Sequence, residues 1–150
     1  MNHGSSPHGI IITTVVPATR EETLVALCAL WGQFNQELLH PEELVDRLLR
    51  SHCKALLAFD QSGAPLGFAA GSPFFSPLQS SATFELWALF IEQAWRRRGV
   101  GSKLLHEIHQ LAHSLGCCDI RVSAKRDPAI QNFYTAVGYR PYACRLRRTL

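Results

Sequence analysis

A chain of 150 residues, 47% apolar and 18% charged, is long enough for one domain with a real core and has the make-up of a water-soluble fold. Its longest apolar runs, such as Ile10-Ile11-Ile12, fall far short of a bilayer span, and five scattered cysteines, an odd number, make no disulfide framework. The net charge of +3 is unevenly spread: residues 1–95 hold four Lys/Arg against nine Asp/Glu, and residues 96–150 hold eleven against three.

That split suits an anionic ligand in the second half and a cation in the first, with uneven surface charge as the plain alternative. Nucleic acid is disfavoured, because the basic residues are not interleaved with aromatics. No membrane partner is expected. Residues 1–9 are polar, rich in Gly, Ser and Pro, and lack the basic start and apolar stretch of a signal peptide. They read as a flexible N-terminal segment ahead of a single domain over 10–150, in a reducing, cytoplasmic setting.

In chain order, Ile10–Val16 is β-branched and reads as a strand stopped by Pro17. Thr19 with Glu22 forms a capping box, opening a helix with an apolar stripe of Leu24, Leu27, Cys28, Leu30, Trp31 and Phe34. Pro41 with Glu42-Glu43 opens a second helix, to Leu49. Lys54–Phe59 and Leu66–Gly71 flank a turn at Asp60-Gln61-Ser62-Gly63 and read as paired strands. Ser72–Ser81 reads as a loop and Thr83–Ile91 as a strand. A helix runs from Gly99 to Leu115, with Val100, Leu104, Leu105, Ile108, Leu111, Ala112 and Leu115 on one side. Asp119–Ser123 is a further strand. Asp127-Pro128 caps and starts a helix that Gly138 ends, and Tyr139–Leu146 is a last strand. The order β-α-α-β-β-β-α-β-α-β predicts an α/β (α+β) fold, a mixed central sheet of six to seven strands with helices on both faces.

The chemistry centres on Arg96-Arg97-Arg98-Gly99-Val100-Gly101-Ser102, between a strand and a helix. The unpaired N–H groups of a helix's first turn and its dipole favour negative charge, and glycines let a phosphate approach the backbone. A pyrophosphate is the natural guest; a tight turn with solvated arginines is the alternative. The segment is neither G-x-G-x-x-G nor a Walker loop, which argues against dinucleotides and ATP.

Arg96-x-x-Gly99-x-Gly101 resembles the (Q/R)-x-x-G-x-(G/A) pattern of the GNAT (GCN5-related) acetyltransferases, and Asn132–Tyr139 resembles that family's F-Y-x-x-x-G-(F/Y) element. The resemblance is sharp over residues 83–140. It implies acetyl-CoA as cosubstrate, no metal, and transfer of acetyl to a primary amine of a small molecule or peptide. It leaves room for a homodimer. It also admits a non-catalytic acyl-CoA-binding sensor of the same fold, which would need the glycine loop but no base or donor. The resemblance implies that backbone N–H groups from Arg97 through Gly99, Val100, Gly101 and Ser102 hold the pyrophosphate, with Arg96 at the head of the motif. Backbone groups of the Leu89-Phe90-Ile91 strand, at Leu89 and Ile91, would meet the pantetheine arm and the acetyl carbonyl. Tyr134 matches the tyrosine facing the CoA sulfur. Asp127 stands where the family often has a pantetheine-contacting Asn, and Gln93 where many members have proline.

An alkyl amine is mostly protonated at neutral pH, so transfer needs a base. Glu85, a carboxylate in an apolar strand, is the candidate, with an ion pair or an exposed position as the alternative. Tyr134 would return a proton to the departing thiolate; a buried structural tyrosine is the other reading. His106, His109 and His113 share the polar side of their helix, and no cysteine or carboxylate at ligand spacing completes a metal set, so they read as a solvated face. Cys117-Cys118 reads as structural. Trp31, Phe34, Asn35, Glu37 and Pro73–Ser76 fall in regions that shape the acceptor groove in this family. The acidic first half points to a cationic acceptor.

Overall fold

A computed structural model describes residues 9–31, 33, 40–50, 52–143 and 148–149. The elements are β1 (Ile11–Thr14), α1 (Arg20–Trp31), α2 (Pro41–Arg50), β2 (Lys54–Phe59), β3 (Pro65–Phe74), β4 (Ala82–Ile91), α3 (Val100–Ser114), β5 (Cys117–Val122) and α4 (Pro128–Ala136). The five strands form one mixed sheet in sequence order, antiparallel from β1 to β4 and parallel between β4 and β5.

Side-chain alternation gives the sheet two buried faces. On one, Leu56, Phe84 and Leu86 pack with Val100, Leu104, Leu105, Ile108 and Ala112 of α3, and Phe133 and Tyr134 of α4 and Val137 just after it lie against them. On the other, Leu57, Phe68 and Ala70 pack with Ala26 and Leu27 of α1 and Val45 and Leu48 of α2. The stripe read for α3 is therefore the face it buries.

Several boundaries differ from expectation for local reasons. Thr19 stands directly before α1, which starts at Arg20. It sits in a 3-10 turn over Pro17–Thr19, where its hydroxyl accepts from Val16 N at 3.1 Å and donates to Val16 O at 3.0 Å. That turn ends the first strand early, although Val15 N still donates to Ala55 O. Cys28 is exposed rather than part of the buried stripe. β3 runs on through Ser72 and Pro73 to Phe74, where the sequence reads as loop. β2 begins at Lys54, opposite Gly71, so Pro73 lies beyond it and its missing N–H costs no ladder bond on that side. β5 begins two residues early, at Cys117.

The predicted order ended in a strand over Tyr139–Leu146, giving six to seven strands. Among the described residues there are five, and Tyr139–Ala143 are in none of them; residues 144–147 lie outside the described set. Most of the predicted loose segment 1–9, together with Phe34, Asn35, Glu37 and the Trp31 side chain, also falls outside it. No described helix is long and apolar enough to cross a membrane.

One irregularity in β4 decides which of its residues face each layer. Ala70 pairs with Ala88 and Gly71 with Leu86, so Trp87 is an extra residue, a β-bulge. Before it, Phe84 and Leu86 face α3; after it, Leu89 and Ile91 face α3 while Ala88 and Phe90 face α1 and α2.

Candidate active site

β5 pairs with β4 only as far as Val122 opposite Leu86. From Trp87 to Ile91, β4 keeps β3 on one side and leaves its other side without a strand. Glu92 N donates to Leu66 O at 2.8 Å, toward β3. Backbone groups alternate along a strand, so those of Ile91, and of Leu89 two residues earlier, point into the opening. Phe90 points its backbone to β3, opposite Phe68. The Ile91 carbonyl accepts from Arg96 Nε at 3.1 Å.

The glycine segment lies past this opening. Gly99 takes φ +83°, a left-handed conformation that suits glycine, and caps α3 with no side-chain hydrogen bond. The first bond of the helix runs from Lys103 N to Gly99 O at 3.0 Å, so the N–H groups through Ser102 have no helical acceptor and are available to an anion. Arg97 is also left-handed, at φ +61°. A Cβ on Gly101 would lie 3.3 Å from the Phe133 ring and 3.6 Å from Ile91 Cγ1. Two of the three arginines are partly engaged: Arg96 lies over Phe90 at 5.9 Å and Arg98 over Trp95 at 5.3 Å from the ring centroid. These residues fit a pyrophosphate with an extended arm: oriented donors at the helix start, three cations nearby, and an open strand side beyond.

Gln33, just beyond α1, is tied to this region. Its Oε1 accepts from Gln93 N at 2.9 Å, and its Nε2 donates to Glu92 Oε1 at 3.0 Å. The residue where many relatives carry proline thus uses its backbone N–H, which proline lacks.

Tyr134 projects from α4 into the α3-side core, half-buried between the rings of Phe133 at 5.2 Å and Tyr139 at 5.3 Å. Burial raises its hydroxyl above the ordinary tyrosine range. Asp127 caps α4, its Oδ1 accepting from Ala129 N at 2.8 Å, as its position before Pro128 predicts.

Glu85 is half-buried on β4, opposite Ser72 of β3 and Arg121 of β5. Phe84 and Leu86 face α3, so Glu85 faces the side of α1 and α2. Base candidate and donor candidate therefore stand on opposite faces of the sheet.

His109 departs from the solvated face expected for the three histidines: its Nε2 lies 3.0 Å from the Tyr139 hydroxyl and its ring 5.7 Å from that ring. His106 and His113 are exposed. Among the described residues no His, Cys, Asp and Glu cluster could hold a metal ion. Cys117 and Cys118 are free thiols. Cys118 accepts from Ser81 Oγ at 2.9 Å, and burial pushes Cys117 up. Sequence reasoning did not single out Arg121, though its position between Ile120 and Val122 in an alternating strand was a readable signal.

The family model described as the acetyltransferase (GNAT) family matches residues 16–139, and the chain belongs to that family. Solved structures share the fold. The aminoglycoside N-acetyltransferase AAC(6')-Iy in complex with CoA superposes with a TM-score of 0.75 at 19% identity, over 97% of this chain and 98% of that one. An aminoglycoside acetyltransferase from an uncultured soil metagenomic sample, in complex with sisomicin, gives 0.76 at 16%, over 94% and 96%. An integron cassette protein from V. cholerae gives 0.76 at 18%, over 95% and 93%. A search of curated proteins finds no match.

Proposed function

We propose that the chain is an acetyl-CoA-dependent N-acetyltransferase acting by direct transfer to a primary amine of a small molecule or peptide. One observation carries the reading: β4 and β5 part at Leu86, in front of the glycine-capped start of α3, and leave the backbone of Leu89 and Ile91 facing the gap. Acetyl-CoA, when bound, supplies an acyl group activated as a thioester.

The N–H groups from Arg97 through Gly99, Val100, Gly101 and Ser102 would receive the phosphates, with Arg96 turned to hold the strand end. Leu89 and Ile91 would align the extended arm as an added strand. Asp127, at the start of α4, would lie along that arm. Glu85 would take a proton from the incoming ammonium, directly or through water, from the α1–α2 side. Tyr134, kept protonated by burial, would donate to the departing sulfur from the α3–α4 side. The acidic first half of the chain would draw in a cationic amine end, and the aminoglycosides named for two structural relatives are acceptors of that kind. A homodimer and a cytoplasmic location are compatible with this chemistry.

The test is thiol release from acetyl-CoA across a library of primary amines, with acetyl-CoA binding measured in parallel. Release with at least one amine supports the proposal. Binding without release from any acceptor overturns it in favour of a cofactor-binding sensor.

A further inference from the structure

We infer that Arg121 forms the anion-binding half of the acceptor site, so that the acceptor is an amine with a carboxylate a few bonds away, as in an amino acid. This rests on the acetyltransferase reading and narrows its acceptor.

Ile120 and Val122 pack toward α3, so Arg121 faces the other side of the sheet, the side of Glu85, its register partner on β4. On this face the apolar residues Phe68, Ala70, Ala88 and Phe90 pack under α1 and α2, and Ser72, Glu85 and Arg121 follow them in register along the sheet. This stretch of the face is polar.

The donors of the guanidinium are incompletely used. Its Nε is shielded from solvent and has no hydrogen-bond partner among the described residues. One Nη reaches Asp119 Oδ2 at 3.4 Å, long for a charge-assisted bond, whose usual range is about 2.7–2.9 Å. The Arg121 Cζ lies 5.3 Å from the centroid of the Tyr142 ring. A buried guanidinium donor without an acceptor is costly, and the planar fork matches a carboxylate through two parallel bonds. Neighbouring strands lie about 4.8 Å apart, so a ligand meeting both Glu85 and Arg121 carries its ammonium and its oxyanion close together. The ammonium still goes to the acidic partner. The cationic amine suggested by the charge split is thereby narrowed to a zwitterionic one, an ammonium with a carboxylate beside it.

The experiment compares matched primary amines, each as free carboxylate and as carboxamide, by kcat/KM for thiol release, in the wild type, Arg121→Gln and Arg121→Lys. The wild type should favour the carboxylates by about 10-fold or more, mainly through KM. Arg121→Gln should bring the ratio near one, and Arg121→Lys should restore part of it. Should the Gln variant fail to fold, the wild-type ratio and the Lys variant decide. A wild-type ratio of one overturns the inference alone. An equal fall of both series in Arg121→Gln also overturns it, since Arg121 would then only position Glu85. No release from any amine, by protein that binds acetyl-CoA, overturns the acetyltransferase reading and this inference with it.

Discussion

The Nε2 of His109 lies 3.0 Å from the hydroxyl of Tyr139, a bond that joins the middle of α3 to the chain just past α4. Burial, and secondly the charge of His106, hold His109 below the ordinary histidine range. Its folded form therefore resists protonation more than the unfolded chain, whose value is about 6.5. The stability this gives is complete above that pH and is lost as the pH falls below it. Melting temperatures from pH 8 to pH 5 should fall more steeply for the wild type than for His109→Gln, which keeps a polar group near Tyr139 but does not titrate. Identical slopes would show that His109 contributes nothing to the acid sensitivity.

Acetyl-CoA and CoA should stabilise the protein, since a ligand confined to the folded state acts by mass action. At about 100 times the dissociation constant the gain is roughly 2.7 kcal/mol, or about 5–10 °C for a chain of this size. Thermal melts with ATP and NAD as controls should give much smaller shifts. Equal shifts from all three would count against the glycine segment as a CoA site.

Gly99 and Gly101 should respond differently to substitution. Gly99→Ala forces a side chain into a left-handed conformation and should cost about 1 kcal/mol of stability in denaturant titrations. Gly101 has room for a methyl group if Phe133 yields slightly, so Gly101→Ala should fold. Gly101→Glu puts a carboxylate at the positive end of α3 and should weaken CoA binding by roughly 10-fold or more in calorimetry. Unchanged affinity in a folded Gly101→Glu protein would move the pyrophosphate elsewhere.

Tyr134→Phe keeps both ring contacts and removes the hydroxyl. Single-turnover acetyl transfer should slow by roughly 10²-fold with little change in CoA affinity. A variant running at full speed would reduce Tyr134 to a core residue.

Glu85→Gln should slow transfer by roughly 10²-fold near neutral pH and recover as the pH approaches about 10, where alkyl amines lose their own proton. A uniform loss across the pH range would remove Glu85 as the base.

Features made by neighbours in the chain were readable from the sequence. The start of α3 at Gly99, its buried stripe and the Asp127 cap depend on residues within a turn or two of one another. The β2–β3 pair was readable because a short turn at Asp60–Gly63 fixes the two strands side by side. Features made by register were not. Trp87 looks like any strand residue until Leu86 and Ala88 are matched to Gly71 and Ala70. Glu85 and Arg121 are 36 positions apart, and only the parallel pairing of β4 with β5 makes them neighbours. The polar side of α3 was correctly separated from its core side, but what would lie against His109 was set by where the chain turns after Gly138.

The extra residue in β4 marks a place where the strand can vary. Trp87 is 56% exposed, so replacing its side chain removes little packing. Deleting it makes Leu86 and Ala88 consecutive, opposite Gly71 and Ala70, so that plain alternation keeps Leu89 and Ile91 on the α3 side and Ala88 and Phe90 on the other. In a saturation library the position should accept many residue types and also a gap, which would straighten the strand locally without exchanging its two faces.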